Sequence, residues 1–220
     1  MSAIIILYTQ LPERMQENGE LYQQLQSLPE NLRANILKYQ DRREQALRMG
    51  GKLLLSQMLQ YFNLEHLSLE NIQKSGNNKP YFPSSGFQFN IAHSGNICIC
   101  AGAMQTHLGV DIEHIKPINI AQHLPYLTEK EQLLLSESPT PMDAFYKIWV
   151  KKEAVLKVTG NTLNEQFLNK TETQEGPVKW NKRIIYTEYL YLEEHYIACL
   201  ASDNTIDTKT LVVKKVNLNF

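Results

Sequence analysis

Two α+β halves lying side by side, with a cleft between them where sites usually form, are the architecture that the sequence predicts. Three observations carry this. The chain opens with an apolar, β-branched run at residues 3–8, followed by a long stretch of mixed apolar and charged residues at helical spacing. Two hairpin patterns follow, and the second strand of each is small and apolar: Ile97-Cys98-Ile99-Cys100-Ala101-Gly102-Ala103 and Ile197-Ala198-Cys199-Leu200-Ala201-Ser202. These strands lie about a hundred residues apart, a faint pseudo-repeat that divides the chain into residues 1–105 and 106–220, with the join at 104–107.

The elements follow in order. Residues 3–8 read as a buried strand, and Pro29 to Phe62 as helix. Gly76-Asn77-Asn78-Lys79-Pro80 is a turn, because Gly and Asn tolerate positive φ and the residue before proline is pushed extended; Lys79 is expected to be exposed at its end. Strands at 87–91 and 97–103 flank Ala92-His93-Ser94-Gly95-Asn96, which has the residues of a hairpin loop and places His93 on that loop. Residues 108–113 form another strand. Helices are expected at 129–137, with Thr128 as a candidate cap, and at 142–159; residues 183–191 and 196–201 form the second hairpin.

Composition narrows the function classes. With 22 basic and 23 acidic residues the formal net charge is -1, so no global field attracts nucleic acid or an anionic membrane, and any anion site must be local. No apolar run approaches the ~20 residues of a spanning helix, and residues 1–8 lack the basic start of a signal peptide. Cys98, Cys100 and Cys199 sit in apolar runs without Cys-x-x-Cys or zinc spacing, and read as reduced core residues of a cytoplasmic protein.

Three carboxylates draw attention. In Gly109-Val110-Asp111-Ile112-Glu113, strand alternation puts Asp111 and Glu113 on one face. Like charges so placed raise each other's pKa and call for solvent or a hard cation such as magnesium. Taken alone, an Asp-x-Glu pair is more often a solvated strand face. Glu153 supplies a third carboxylate on a helix, where ~100° per residue sets Trp149, Lys152, Glu153, Leu156 and Lys157 on one side, with Lys147 and Lys151 turned away. The plain reading of Glu153 and Lys157 is a surface i, i+4 pair. The alternative is an anion site, in which a metal on three carboxylates is flanked by lysines that neutralise phosphate charge. Gly50-Gly51-Lys52 lacks the spacing of a P-loop.

Lys79-Pro80, Phe89-Asn90-Ile91-Ala92-His93-Ser94, Gly109 to Glu113 and Trp149 to Lys157, in that order, resemble the signatures of the Sfp-type 4′-phosphopantetheinyl transferases. The resemblance covers residues 79–157. It implies a pseudo-dimeric α+β fold with coenzyme A in the cleft between the halves. It also implies that Asp111, Glu113 and Glu153 hold Mg2+, that His93, Lys79, Lys152 and Lys157 contact the phosphates of coenzyme A, that Pro80 shapes its pocket, and that Arg48 lies near the 3′-phosphate. Glu131 resembles the acidic residue that helps deprotonate the attacking serine, with Glu129 close in register. Ala92, Asn77-Asn78 and Val150 depart from the family pattern, and none is a metal ligand.

The activity so implied moves 4′-phosphopantetheine from coenzyme A to a serine of an acyl or peptidyl carrier protein, with Glu153, Glu131 and Lys157 as the catalytic residues. The expected enzyme is a monomer of holo-[acyl-carrier-protein] synthase type, with no nucleic-acid or membrane partner. Two rivals remain at this point: a magnesium-dependent pyrophosphohydrolase using the same carboxylates, and a non-catalytic coenzyme A-binding module.

Overall fold

The computed structural model describes residues 3–12, 20–160, 171, 173, 176–180 and 182–218. Strand β1 (Ile5–Gln10) is followed by helices α1 (Glu20–Gln26), α2 (Glu30–Leu37) and α3 (Arg42–Tyr61). The stretch expected as helix from 29 to 62 is thus two helices. Asp41 ends the continuity, because its extended backbone and its carboxylate, which accepts from the Glu44 amide, start α3 afresh.

Two-residue strands β2 (Gln73–Lys74) and β3 (Pro80–Tyr81) pair across the Asn-rich turn and lead to β4 (Phe87–Ser94) and β5 (Ile97–Met104). Strand β4 runs through residues 92–94, so His93 lies on a strand and the loop expectation is corrected. The turn needs only Gly95 and Asn96, since Gly95 adopts φ +56°. Then come β6 (Leu108–His114), a 3-10 segment (Ile120–Tyr126), α4 (Glu129–Glu137) and α5 (Pro141–Thr159). The chain closes with β7 (Val178–Trp180), β8 (Arg183–Leu190), β9 (Tyr196–Ser202) and β10 (Val212–Lys215).

The fold is α+β in two matching parts. One sheet has the order β10-β1-β5-β4 and the other β6-β9-β8-β7. In each, a first strand lies antiparallel to the second strand of a later hairpin, so β1-β5-β4 corresponds to β6-β9-β8. Strand β10 returns from the end of the chain to pair parallel with β1, so residues 212–215 complete the first sheet.

Alternation along the strands builds the layers. Leu7, Cys98, Cys100, Phe87 and Phe89 face α3 and pack on Leu47, Leu54, Leu55 and Met58. The opposite faces of the two sheets meet each other, Ile6, Ile97, Ile99 and Ala101 against Val110, Ile112, Ala198 and Leu200. Cys199, Ala201 and Ile197 then face Phe145, Ala154, Val155 and Val158 of α5. The three cysteines are buried and unpaired, and burial pushes the thiols of Cys98 and Cys100 up to about 12.

Helix α5 touches β6 backbone to backbone. A Cβ on Gly109 would lie 2.2 Å from the Ala154 carbonyl oxygen and 2.6 Å from the Val158 amide nitrogen. Gly109→Ala is therefore expected to push α5 away and destabilise the protein by roughly 1–3 kcal/mol, read from denaturant midpoints at unchanged slope. A midpoint equal to that of the parent would contradict the close packing.

Candidate active site at the seam between the halves

The outer edge of β6 faces β4, and side chains close the gap between them where a ladder of backbone bonds would otherwise run. Asn90 of β4 accepts from the Val110 amide at 2.9 Å, and Ser94 Oγ accepts from the His114 amide at 3.1 Å. Lys79 Nζ donates to the carbonyls of Leu108 (3.0 Å) and Val158 (3.1 Å), and Lys157 Nζ donates to that of Val110 (3.2 Å). These backbone groups of β6 and α5 at the seam are thereby satisfied.

On this frame Asp111 points toward α5, where Lys157 Nζ lies 2.6 Å from its Oδ1. Glu113 Oε2 accepts from Ser94 Oγ at 2.7 Å. Glu153, one turn before Lys157, faces the same space. Burial raises the pKa of all three carboxyls: Lys157 offsets the effect at Asp111 and Ser94 at Glu113, while Glu153 is pushed up to about 7, first by burial and then by the charge of Asp111. Asp111 Oδ2 and Glu153 Oε1 are buried without a hydrogen-bond partner. Such oxygens cost about 1–3 kcal/mol each when left unmet.

Among the described residues no group of three or more His, Cys, Asp or Glu side chains is placed so as to hold a metal ion as it stands. The donor set nonetheless fits a hard divalent cation. All three side chains offer carboxylate oxygen, the charge of Asp111 raises the pKa of Glu113, both raise that of Glu153, and two of the oxygens are orphaned.

The cationic rim draws on both halves. Alternation turns His93 toward α3, where its Nε2 lies 3.8 Å from Glu44 Oε1. Burial lowers the pKa of His93, and the charges of Glu44, Arg48, Lys157 and Asp111 all act on it. Arg48 pairs with Glu44 at 2.6 Å and lies over the Tyr39 ring at 3.8 Å. The structure therefore brings together Arg48, His93, Asp111, Glu113, Glu153 and Lys157 from α3, β4, β6 and α5.

Three expectations are corrected. Lys152 is fully buried and does not join this rim: its Nζ lies 2.9 Å from Glu131 Oε2 and 2.7 Å from the Thr171 carbonyl oxygen. The 100° between consecutive helical positions is enough to turn Lys152 toward α4 while Glu153 faces β6. Lys151, on the side of α5 turned away from Glu153, is buried as well and donates to the Gly176 carbonyl at 3.1 Å.

Glu131 is likewise interior. It forms a capping box with Thr128, accepting from the Thr128 amide at 2.8 Å, while its other oxygen accepts from the Thr173 amide and hydroxyl at 3.1 and 2.6 Å. Its oxygens are occupied and only 1% of it is exposed, so in this structure it holds the fold. Glu129, its neighbour in register, is exposed at the start of α4.

Lys79 is not exposed. Burial lowers its pKa to about 8 and two of its three N–H groups are used on backbone carbonyls, while Pro80 beside it is half-buried. The sequence reading overlooked Asn90, Ser94 and Glu44. The first two lie in the quoted Phe89 to Ser94 motif, and the period-2 phase that gives Asn90 and Ser94 to β6 and His93 to α3 was the available signal.

Two family models match the chain. One, described as the 4′-phosphopantetheinyl transferase superfamily, matches residues 107–201, and another, 4′-phosphopantetheinyl transferase, N-terminal, matches residues 15–105. The 4′-phosphopantetheinyl transferase Sfp of Bacillus subtilis (strain 168) is 34% identical over 120 residues, 53% of this chain and 52% of that protein. The chain is an Sfp-type member of the 4′-phosphopantetheinyl transferase superfamily.

Other members of that superfamily resemble it over similar spans. The 4′-phosphopantetheinyl transferase psf-1 of Bacillus pumilus is 38% identical over 106 residues, 44% of each chain. The L-aminoadipate-semialdehyde dehydrogenase-phosphopantetheinyl transferase of Schizosaccharomyces pombe is 29% identical over 139 residues, 51% of this chain and 53% of that one. The chain spans about half the length of the curated relatives it matches. No described helix is long and apolar enough to cross a membrane.

Proposed function

We propose that the chain transfers the 4′-phosphopantetheine group of coenzyme A to a serine of an acyl or peptidyl carrier protein, releasing 3′,5′-ADP. The observation that carries this reading is the carboxylate set Asp111, Glu113 and Glu153, with two orphaned oxygens, facing a cationic rim drawn from both halves. A pure anion-binding site would gain nothing from three buried carboxylates unless a cation intervened.

Asp111, Glu113 and Glu153 would hold Mg2+, which when bound supplies charge neutralisation and orientation to a pyrophosphate. His93 and Arg48 bind and orient the anionic co-substrate from the first half, with Pro80 and the remaining Lys79 donor at the edge of its pocket. The serine oxygen attacks the β-phosphorus of coenzyme A, and the bond from that phosphorus to the oxygen of 3′,5′-ADP breaks. Glu153 takes the serine proton through the oxygen that has no partner within the protein. Lys157, held by Asp111 and the Val110 carbonyl, neutralises the departing oxygen.

Residues 1–105 and 106–220 are proposed as the two halves of the site, with the final strand crossing back. A rim completed within one chain supports a monomer, and three buried thiols support a reducing, cytoplasmic setting. An incubation with coenzyme A and Mg2+ but no carrier tests the reading against hydrolysis. No free phosphopantetheine is expected. Its steady release, with no labelled serine once apo carrier is added, would establish the hydrolase instead.

A further inference from the structure

The hydroxyl of Ser94 has a forced direction. The His114 amide is a donor only and reaches Ser94 Oγ at 3.1 Å, so the oxygen accepts there. Its own hydrogen is then available to Glu113 Oε2, 2.7 Å away. One oxygen of Glu113 is thus fixed from the far side of the seam, by a residue of the other half.

The hairpin tip that carries Ser94 is itself held on several sides. The Asn96 amide donates to Tyr196 Oη at 2.9 Å, the Leu11 amide donates to the Asn96 carbonyl at 2.7 Å, and the Arg43 guanidinium donates to the Asn96 side chain. The His114 ring stacks on Tyr196 with centroids 4.6 Å apart. Gly95 is required beneath Tyr196, because a Cβ there would lie 2.4 Å from the phenol oxygen. The β4–β5 tip, β6 and β9 therefore form one rigid unit ending at the Glu113 carboxylate.

We propose that Ser94 is a positioning residue for the metal site, orienting the Glu113 carboxylate across the seam through the His114 amide–Ser94 hydroxyl–Glu113 relay. The proposal rests on the reading of Asp111, Glu113 and Glu153 as metal ligands. Partners that orient a metal-binding carboxylate commonly change metal affinity by roughly 10–100-fold when removed. The Ser94 hydroxyl spends its hydrogen on Glu113 and accepts from the His114 amide, so its loss is expected to raise the metal concentration needed and to leave the rate at saturating metal largely intact.

The test is Mn2+ binding to the full chain, followed by electron paramagnetic resonance of the free ion, for the parent, Ser94→Ala, Ser94→Thr and Glu113→Ala. Ser94→Ala is expected to weaken Mn2+ binding roughly 10-fold or more, and Ser94→Thr, which keeps the hydroxyl, to restore it. A melting curve for each variant confirms folding, and Ser94→Thr keeps the test decisive if the alanine variant is unstable. Parent-like binding by Ser94→Ala alongside weak binding by Glu113→Ala would overturn the proposal and leave the metal reading standing. Unchanged binding by Glu113→Ala would overturn both.

Discussion

Glu131→Ala is expected to lower the folding free energy by about 3–5 kcal/mol, because it removes the carboxylate that faces the fully buried Lys152 ammonium at 2.9 Å. It also removes the capping box with Thr128 and the acceptor of both Thr173 bonds. Lys152→Ala is expected to cost a similar amount by leaving the carboxylate unpaired. The double variant should cost less than the sum, since neither charge is then stranded. Denaturant melts of the four proteins check this. The folded fraction of Glu131→Ala, assayed at low temperature, should retain most of its transfer rate, whereas a general base would lose it. Additive stability losses would remove the ion pair from the account of the fold.

Glu153→Gln is expected to act in the opposite sense on stability and function. The folded-state pKa of Glu153, about 7, lies above the roughly 4.3 of an unfolded glutamate. Stability from the protonated carboxyl is therefore fully present below about pH 4 and lost as pH rises through about 7. Glutamine mimics the protonated form, so metal-free Glu153→Gln should be more stable than the parent at pH 8 by about 1–3 kcal/mol, a few degrees in melting temperature, and no more stable at pH 4. Transfer should fall by roughly 10²–10³-fold or more, because the proposed cation ligand and proton acceptor is lost. Destabilisation at pH 8 would show that Glu153 is already well paired without a cation. This is the trade between stability and function expected of like charges gathered for chemistry.

Period-2 and period-3.6 patterns made much of this arrangement legible. The common face of Asp111 and Glu113 followed from alternation along β6, and the bounds of α4 from its cap and periodicity. The errors have a shared cause. Helix α5 is buried on most of its circumference, so a helical wheel could not say which lysine faces β6 and which meets Glu131. Lys79 looked exposed because its turn is polar, but its stem crosses the seam to carbonyls on β6 and α5, 29 and 79 residues away. His93 looked like a loop residue because a single positive-φ glycine shortens the turn to two residues. Pairings between distant segments are what sequence periodicity does not encode, and the seam consists almost wholly of such pairings.

The central claim is that the seam transfers phosphopantetheine with the help of a cation held by three carboxylates. Intact-mass measurement of an apo carrier protein after incubation with the chain, coenzyme A and Mg2+ tests it most directly, with parallel arms in EDTA and with Glu153→Gln. The expected result is one phosphopantetheine adduct on the carrier serine in the Mg2+ arm, none in EDTA, and little or none with Glu153→Gln. An adduct formed equally in EDTA would contradict the role of the carboxylates, and no adduct on any of several fatty-acid and peptide carriers would contradict the transfer itself.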